Sequence, residues 1–363
     1  MRVLVVNTGS SSVKLRLLDG TELTGSTDLG APSTLDPSEV GDAVGKLAGE
    51  SGVDCVGHRI VHGGAAFTSA VVVDDRVRAE LDAVVELAPL HLPASLAGLD
   101  AVRAALPSVP SVACFDTAFH ATIPGEAATY ALPAQWRDLS IRRYGFHGLS
   151  HAYAARRAAE ILELPVDGLR LVSCHLGAGA SLCAVHSGQS VDTTMGFTPL
   201  EGLVMATRSG SVDPGLVLWL QRQHGLSADE VFDGLESRSG LLGLAGTADM
   251  RVVLDRMDTG DEVARLAFDV YVYRIRTGIA AMSAAMSGVD AVSFTGGIGE
   301  PSAAVREGAV AGLEYLGVAV NPGQNEAARG DANVSAPGSP AGVVVVTARE
   351  DLEIVRQVDA LLG

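Results

Sequence analysis

The chain has 363 residues, enough for two domains at roughly 100–200 residues each. Apolar residues make up 47% and aromatics only 4%, so the cores must be aliphatic, and 42 glycines imply many tight turns. A formal net charge of −17 argues against the basic face that nucleic-acid binding requires, and no apolar run approaches the length of a membrane span.

The elements read in chain order as follows. Val3–Val6 is a buried strand, Asn7–Ser12 a polar turn and Val13–Leu18 a second strand. Gly25–Gly41 is rich in Pro, Ser, Thr and Asp and reads as loop. Asp54–Ile60 holds a short strand, Asp74–Leu87 and Ser95–Ala105 have helical spacing, and Val109–Phe115 is a strand ending at Asp116. Leu149–Leu162 is a helix, Leu169–Cys174 a strand, Gly177–Gly179 a turn and Ser181–His186 a strand. Ser227–Glu236 and Asp261–Ser287 read as helices and Ala291–Phe294 as a strand. Ala328–Gly342 is a Gly/Pro/Ser/Asp loop, Val343–Val346 an apolar strand and Asp351–Leu362 a closing helix.

Arg2–Leu18 and Arg170–His186 share one plan: an apolar strand, a turn of small residues and a second strand. Such an echo suggests two related domains. Cys55, Cys114, Cys174 and Cys183 form no CxxC pair and sit in or beside apolar runs, which fits buried thiols in a reducing, cytoplasmic setting. The apolar run at the N-terminus is too short for a signal peptide.

Several stretches combine turn residues with reactive side chains. A turn like Asn7–Lys14 after a buried strand can aim backbone N–H groups at phosphate oxygens, with Lys14 adding charge. Arg59 in "GHRIVHGG" has the planar fork that grips carboxylate or phosphate. Asp116 ends a strand, where ligands of α/β folds gather. His147 in "RRYGFHG", His175 in "HLGAGAS", Arg208 in "TRSGSVDP", "TGGIGE" at 295–300 and "RED" at 349–351 complete the set. On residues alone, ordinary hairpins and core histidines would also account for single members of it. No HExxH zinc motif, GxSxG elbow, GxGxxG fingerprint or Walker A loop occurs.

Taken together and in order, "NTGSSSVK", "GHRIVHGG", "APLHLP", "FDTAFH", "RRYGFHG", "TPLEGL", "TRSG" and "FTGGIGE" closely resemble the acetokinase family across nearly the whole chain. The resemblance implies an α/β fold of two duplicated actin-like (ribonuclease H-like) domains with a nucleotide cleft between them. By this resemblance residues 1–120, completed by helix 352–363, form the first domain. Residues 121–351 form the second, with the nucleotide site and a homodimer interface. It implies cytoplasmic, reversible transfer of a phosphoryl group from ATP to acetate, giving acetyl phosphate and ADP, with Mg²⁺ or Mn²⁺.

Roles carry over by motif. Asp116, Arg59, His147 and Arg208 match the catalytic set, and Asn7 and Glu350 the metal-associated pair. Ser10, Ser12, Lys14, His175, Gly177 and Gly179 match the phosphate-side turns, and Gly297, Ile298 and Gly299 the adenosine turn. Val61, Leu90, Phe146 and Pro199 match the acceptor pocket. The chain departs from the family's pattern at Ala178 and Leu92, both usually Asn, at Pro301, also usually Asn, and at Ser211, usually Asp. The Gly25–Gly41 region is also shortened. These changes thin the donor side and leave pyrophosphate as a rival donor. Propionate or butyrate is a rival acceptor, and a non-catalytic nucleotide-binding protein on this fold is a rival of another class.

Overall fold

The computed structural model describes residues 1–9, 12–31, 34, 36–89 and 91–363, with only the backbone of Glu50. Two compact units emerge. The first comprises residues 1–121, 146–153 and 349–363, and the second residues 122–145 and 154–348.

The first unit is built on a six-stranded sheet of β1 (Arg2–Thr8), β2 (Val13–Asp19), β3 (Glu22–Leu29), β4 (Cys55–Ile60), β5 (Val71–Val72) and β6 (Ser111–Phe115), in the order β3-β2-β1-β4-β6-β5. β1, β2 and β3 form an antiparallel meander, whereas β1, β4 and β6 run parallel. Alternation along β1 sends Leu4 and Val6 to one face and Val3 and Val5 to the other. Each face is buried under its own helices. Val40 and Val44 of helix Pro37–Ala48 and Val102 of helix Leu92–Ala105 cover the first face. Ile354, Val355 and Val358 of the C-terminal helix Glu350–Leu362 cover the second. That helix lies so close to β4 that a Cβ on Gly57 would collide with Ile354 Cγ2.

The second unit repeats the plan with β7 (Arg170–Leu176), β8 (Ala180–His186), β9 (Gln189–Thr193), β10 (Ala291–Thr295), β11 (Ala332–Asn333) and β12 (Gly342–Val345). Its order is β11-β12-β10-β7-β8-β9, with β7, β8 and β9 an antiparallel meander and β7, β10 and β12 parallel. Read from the meander inward, the two orders coincide. Each second strand carries a register shift, at Leu17/Leu18 and at Ala184/Val185. The expected duplication of two α/β domains is therefore observed.

Part of the sequence reading is corrected. Gly25–Leu29 belong to β3, and Pro37–Gly41 to a helix, so Gly25–Gly41 is not a continuous loop. The Pro and Asp taken as loop markers are helix-start residues: the Asp36 side chain accepts from Ser38 N, and Pro37 occupies the first helical turn. The helix read as Asp74–Leu87 ends at Asp82, followed by a 3₁₀ turn at Val85–Leu87. The next helix starts at Leu92 rather than Ser95. The Ala328–Gly342 segment contains the short edge strand β11.

Candidate functional site

In the first unit, the parallel strands bring their carboxyl ends together. Asn7 pairs with Arg59 in register across β1 and β4, and Ile60 with Phe115 across β4 and β6. Asp116, the next residue, is held by its N–H donating to Ile60 O at 2.9 Å. Three residues far apart in sequence thus arrive at the carboxyl ends of three adjacent strands.

Arg59 makes a two-pronged grip on Asp116. Nε donates to Oδ1 at 3.0 Å and Oδ2 at 3.2 Å, and Nη2 to Oδ2 at 2.7 Å. Nη1 lies 3.4 Å from Glu350 Oε2 and 3.4 Å from Asn7 Oδ1. Burial works against the Arg59 charge, but Asp116 and Glu350 outweigh it and keep the guanidinium protonated above its ordinary value. Asp116 is only 2% exposed, so this pair is shielded from screening.

His147 stands beside this group on strained backbone, with φ +58. Its carbonyl accepts from His151 N at 2.9 Å, starting helix Gly148–Leu162, and Gly148 N donates to Asp116 O at 2.8 Å. A Cβ on residue 148 would collide with that oxygen, so only glycine allows the approach. Phe146 is buried, its carbonyl 2.9 Å from His120 Nε2, and its ring meets His62 edge-on at 5.4 Å. His62 is held down to about 4 by burial. Val61, next to it, is half-buried.

The β1–β2 turn closes through Gly9 N donating to Ser12 O at 2.9 Å. Lys14 is exposed and sits opposite Asn7. Ser10 and Leu90 lie outside the described residues.

In the second unit, β7 ends at His175-Leu176, and Gly177 N donates to Gly179 O at 3.0 Å, closing a tight turn. Gly296 (φ +87) allows the "TGGIGE" turn to press against Leu176 O, where a Cβ would collide. Glu300 braces this turn by accepting from Gly296 N at 2.8 Å and Ala348 N at 3.0 Å. The buried Arg306 donates to Gly299 O at 3.0 Å and Glu300 O at 2.6 Å. The two turns border a cavity of ≈ 750 Å³ with Ala206, Met250, Leu254 and Arg251 on its walls. Its volume lies in the range of small-ligand pockets. Gly177, Gly297 and Ile298 line it, and so do Ala178 and Pro301. Arg208 and Pro199 also belong to this unit, Arg208 Nη1 lying 3.4 Å from Pro199 O.

A family model described as the acetokinase family matches residues 41–356. The chain belongs to the acetokinase family. It is 45% identical to an acetate kinase of Streptomyces griseus, over 100% of this chain and 96% of that one. The Porphyromonas gingivalis acetate kinase structure superposes with a TM-score of 0.92 at 36% identity, covering 100% of each chain. A propionate kinase structure from Francisella tularensis gives 0.90 at 32% identity, covering 98% of each.

Within this acetokinase fold, the structure brings Asn7, Arg59, Asp116 and Glu350 into one hydrogen-bonded group, with His147 tied to it through Gly148. It brings Gly177 together with Gly297 and Ile298 at one cavity. His58 and His120 are buried in the first unit, His58 Nε2 lying 3.4 Å from Ser111 Oγ. Sequence reasoning missed Met250, Arg251 and Leu254 on the cavity wall, because a helix face carries no motif. It also missed Glu236 and Arg306, and it had Glu300 only as the end of "TGGIGE", because a charge in a sequence does not name its partner.

Asn7 and Glu350 would each offer one oxygen to a magnesium ion, which commonly takes only one or two protein oxygens. Both oxygens lie within 3.4 Å of the same Arg59 nitrogen, so they converge. Among the described residues no cluster of three or more His, Cys, Asp or Glu could hold a metal unaided.

Proposed function

We propose that the protein reversibly transfers the γ-phosphoryl group of ATP to acetate, forming acetyl phosphate and ADP. The observation that carries this reading is the Arg59–Asp116 grip at the convergent strand ends of a chain from the acetokinase family. Because Asp116 occupies the Nε side of the fork, Arg59 is fixed in direction while its Nη1 side stays near Asn7 and Glu350. A fixed cation of this kind stabilises charge on a transferring phosphoryl group without reorganising during the reaction.

A carboxylate is already a nucleophile, so no general base is needed. An acetate oxygen forms a bond to the γ-phosphorus as the bridging P–O bond breaks, and ADP leaves with that electron pair. Arg59 and Arg208 hold the anionic groups, and His147 donates to an equatorial oxygen. Val61 and Phe146 meet the methyl group. Ser10, Ser12, Lys14, His175, Gly177 and Gly179 receive the phosphates, and Gly297, Ile298 and Gly299 the adenosine. When bound at Asn7 and Glu350, Mg²⁺ or Mn²⁺ supplies charge neutralisation at the phosphate oxygens.

The ≈ 750 Å³ cavity beside Gly297 and Ile298 supports a nucleotide donor over pyrophosphate, which has no base to fill it. A homodimer is supported by consecutive helices of the second unit. Helix Pro214–His224 buries none of its residues and exposes Leu216, Leu218 and Trp219, and Phe232 is exposed on the following helix. Faces of this kind mark protein interfaces. Cytoplasmic location is supported by four buried cysteines that form no disulfide. No described helix is long and apolar enough to cross a membrane.

The test is a hydroxylamine-trapping assay of formate, acetate, propionate and butyrate against ATP, GTP and pyrophosphate with Mg²⁺. The expected result is acyl hydroxamate formed with the highest kcat/KM from acetate and ATP. Faster turnover of propionate or pyrophosphate would reassign the substrate. No hydroxamate from any pair would end the enzymatic reading.

A further inference from the structure

Arg208 lies where two segments of the second unit are laced together. Met205 N donates to Arg208 O at 3.1 Å, Ser209 N to Leu235 O at 2.9 Å and Ser239 N to Thr207 O at 2.8 Å. Thr207 Oγ1 adds a bond to the carbonyl of Glu236 at 3.0 Å. Gly240, at φ +61, passes so close to Met205 O that a Cβ there would collide. This lacing fixes the Arg208 backbone but leaves its long side chain free to choose a direction.

Glu236 makes that choice. Arg208 Nε donates to Glu236 Oε1 at 2.6 Å, with the two side chains 19% and 10% exposed. A short charge-assisted bond largely out of water is a strong constraint. Nη1 has only weaker neighbours, Pro199 O at 3.4 Å and Met205 Sδ at 3.8 Å, and no described residue accepts from Nη2. The carboxylate therefore occupies the Nε side of the guanidinium, and the Nη1/Nη2 end stays open to an anion.

Two further observations set Glu236 apart from a casual surface partner. It is the penultimate residue of helix Ala228–Ser237, where a carboxylate opposes the helix dipole, and it is nevertheless buried. A residue that breaks a local rule and is retained inside the fold points to a compensating role. Arg59 shows a related device: a buried carboxylate, Asp116, holds its Nε/Nη2 edge and so fixes its direction. Each unit thus contains an arginine whose direction is set by a buried acid.

We propose that Glu236 is a positioning residue, which fixes Arg208 so that its Nη1/Nη2 end meets the anionic reactants. The carboxylate also offsets the arginine's charge when no anion is bound, and an arriving anion need not displace it. This inference rests on the proposed role of Arg208.

The test uses the full chain with Glu236→Ala, Glu236→Gln, Glu236→Asp, Arg208→Ala and the double variant Arg208→Ala/Glu236→Ala. Each is followed by kcat, KM for acetate, KM for ATP and thermal melting. Glu236→Ala is expected to lower kcat about 10–100-fold, by analogy with the loss of a hydrogen-bond partner that orients a metal ligand. Glu236→Gln keeps an acceptor at the same reach and is expected to restore most of kcat. Glu236→Asp keeps the charge but withdraws it, and is expected to recover less than Gln. On the Arg208→Ala background, removing Glu236 is expected to cost nothing further.

The inference is overturned if Glu236→Ala turns over near the parental rate, if Asp restores more than Gln, or if the loss is equal on both backgrounds. Should Glu236→Ala not fold, the order of Gln and Asp decides. Near-normal turnover of Arg208→Ala alone would instead overturn the role of Arg208, a separate result.

Discussion

At the scale of single residues, burial decides what each polar group can do. Asp116 and Arg59, 57 residues apart, meet at the carboxyl ends of neighbouring strands because β4 and β6 pair in parallel. Neither residue's neighbours in sequence announce the pairing. Gly148 was legible only as a turn glycine, yet its role is contact: its N–H reaches Asp116 O without room for a side chain. Gly148→Ala is expected to push His147 away from Asp116. It should lower the melting temperature and reduce kcat by about 10²-fold, since a shift on the order of 1 Å at a reacting group costs that much. Parental kcat in Gly148→Ala would remove His147 from the reacting group. Histidine burial also has a pH signature. Burial, then the Arg103 charge, holds His58 down to about 3, and burial holds His62 down to about 4. Both folded values lie below the ordinary 6.5, so on acidification the unfolded chain takes up protons first. The stability these histidines contribute is fully present above pH ~6.5 and is lost as pH falls toward the folded values. Melting temperatures are expected to fall between about pH 6.5 and 5. The fall should be shallower in His58→Gln, and an identical slope would exclude His58 as its source.

At the scale of elements, most strands were legible because their apolar periods are local, but helices such as Pro37–Ala48, Pro214–His224 and Met250–Asp258 were not read. The errors have local causes too. Asp36-Pro37 reads as loop by composition but works as a cap and first turn. β3 is a mostly exposed edge strand, EL-TG-ST-DL, without the apolar alternation that marks its neighbours. The phosphate-side turn illustrates the other limit. Ala178 and Pro301 were visible as departures from the family's pattern, but only the fold places both on the wall of one cavity. Ala178→Asn would add an amide beside the proposed phosphate path. It is expected to lower KM for ATP by roughly tenfold, a hydrogen bond to a charged group being worth about 1.5 kcal/mol or more. A KM that stays constant or rises in steady-state assays would show that the backbone already satisfies those oxygens.

At the scale of the whole molecule, the hairpin echo between Arg2–Leu18 and Arg170–His186 grew into two sheets of one strand order. The exposed apolar helix Pro214–His224 belongs to this scale as well. Leu218→Glu combined with Trp219→Glu is expected to halve the mass seen by light scattering, toward the 37.3 kDa of one chain. A parental mass already at that value would refute the homodimer. The sequence by itself determined the ordered motifs, the repeated strand–turn–strand unit and the aliphatic, acidic character of the chain. All of these are read from composition or from runs of neighbouring residues, without knowing which residues touch. The tertiary structure decided that the C-terminal helix covers the first sheet at Gly57, that Asp116 grips Arg59 and that Glu236 grips Arg208. The physical reason is that a charge in a sequence carries no record of its partner. Which acid neutralises which arginine is fixed only when strand order and helix packing bring the two out of water together.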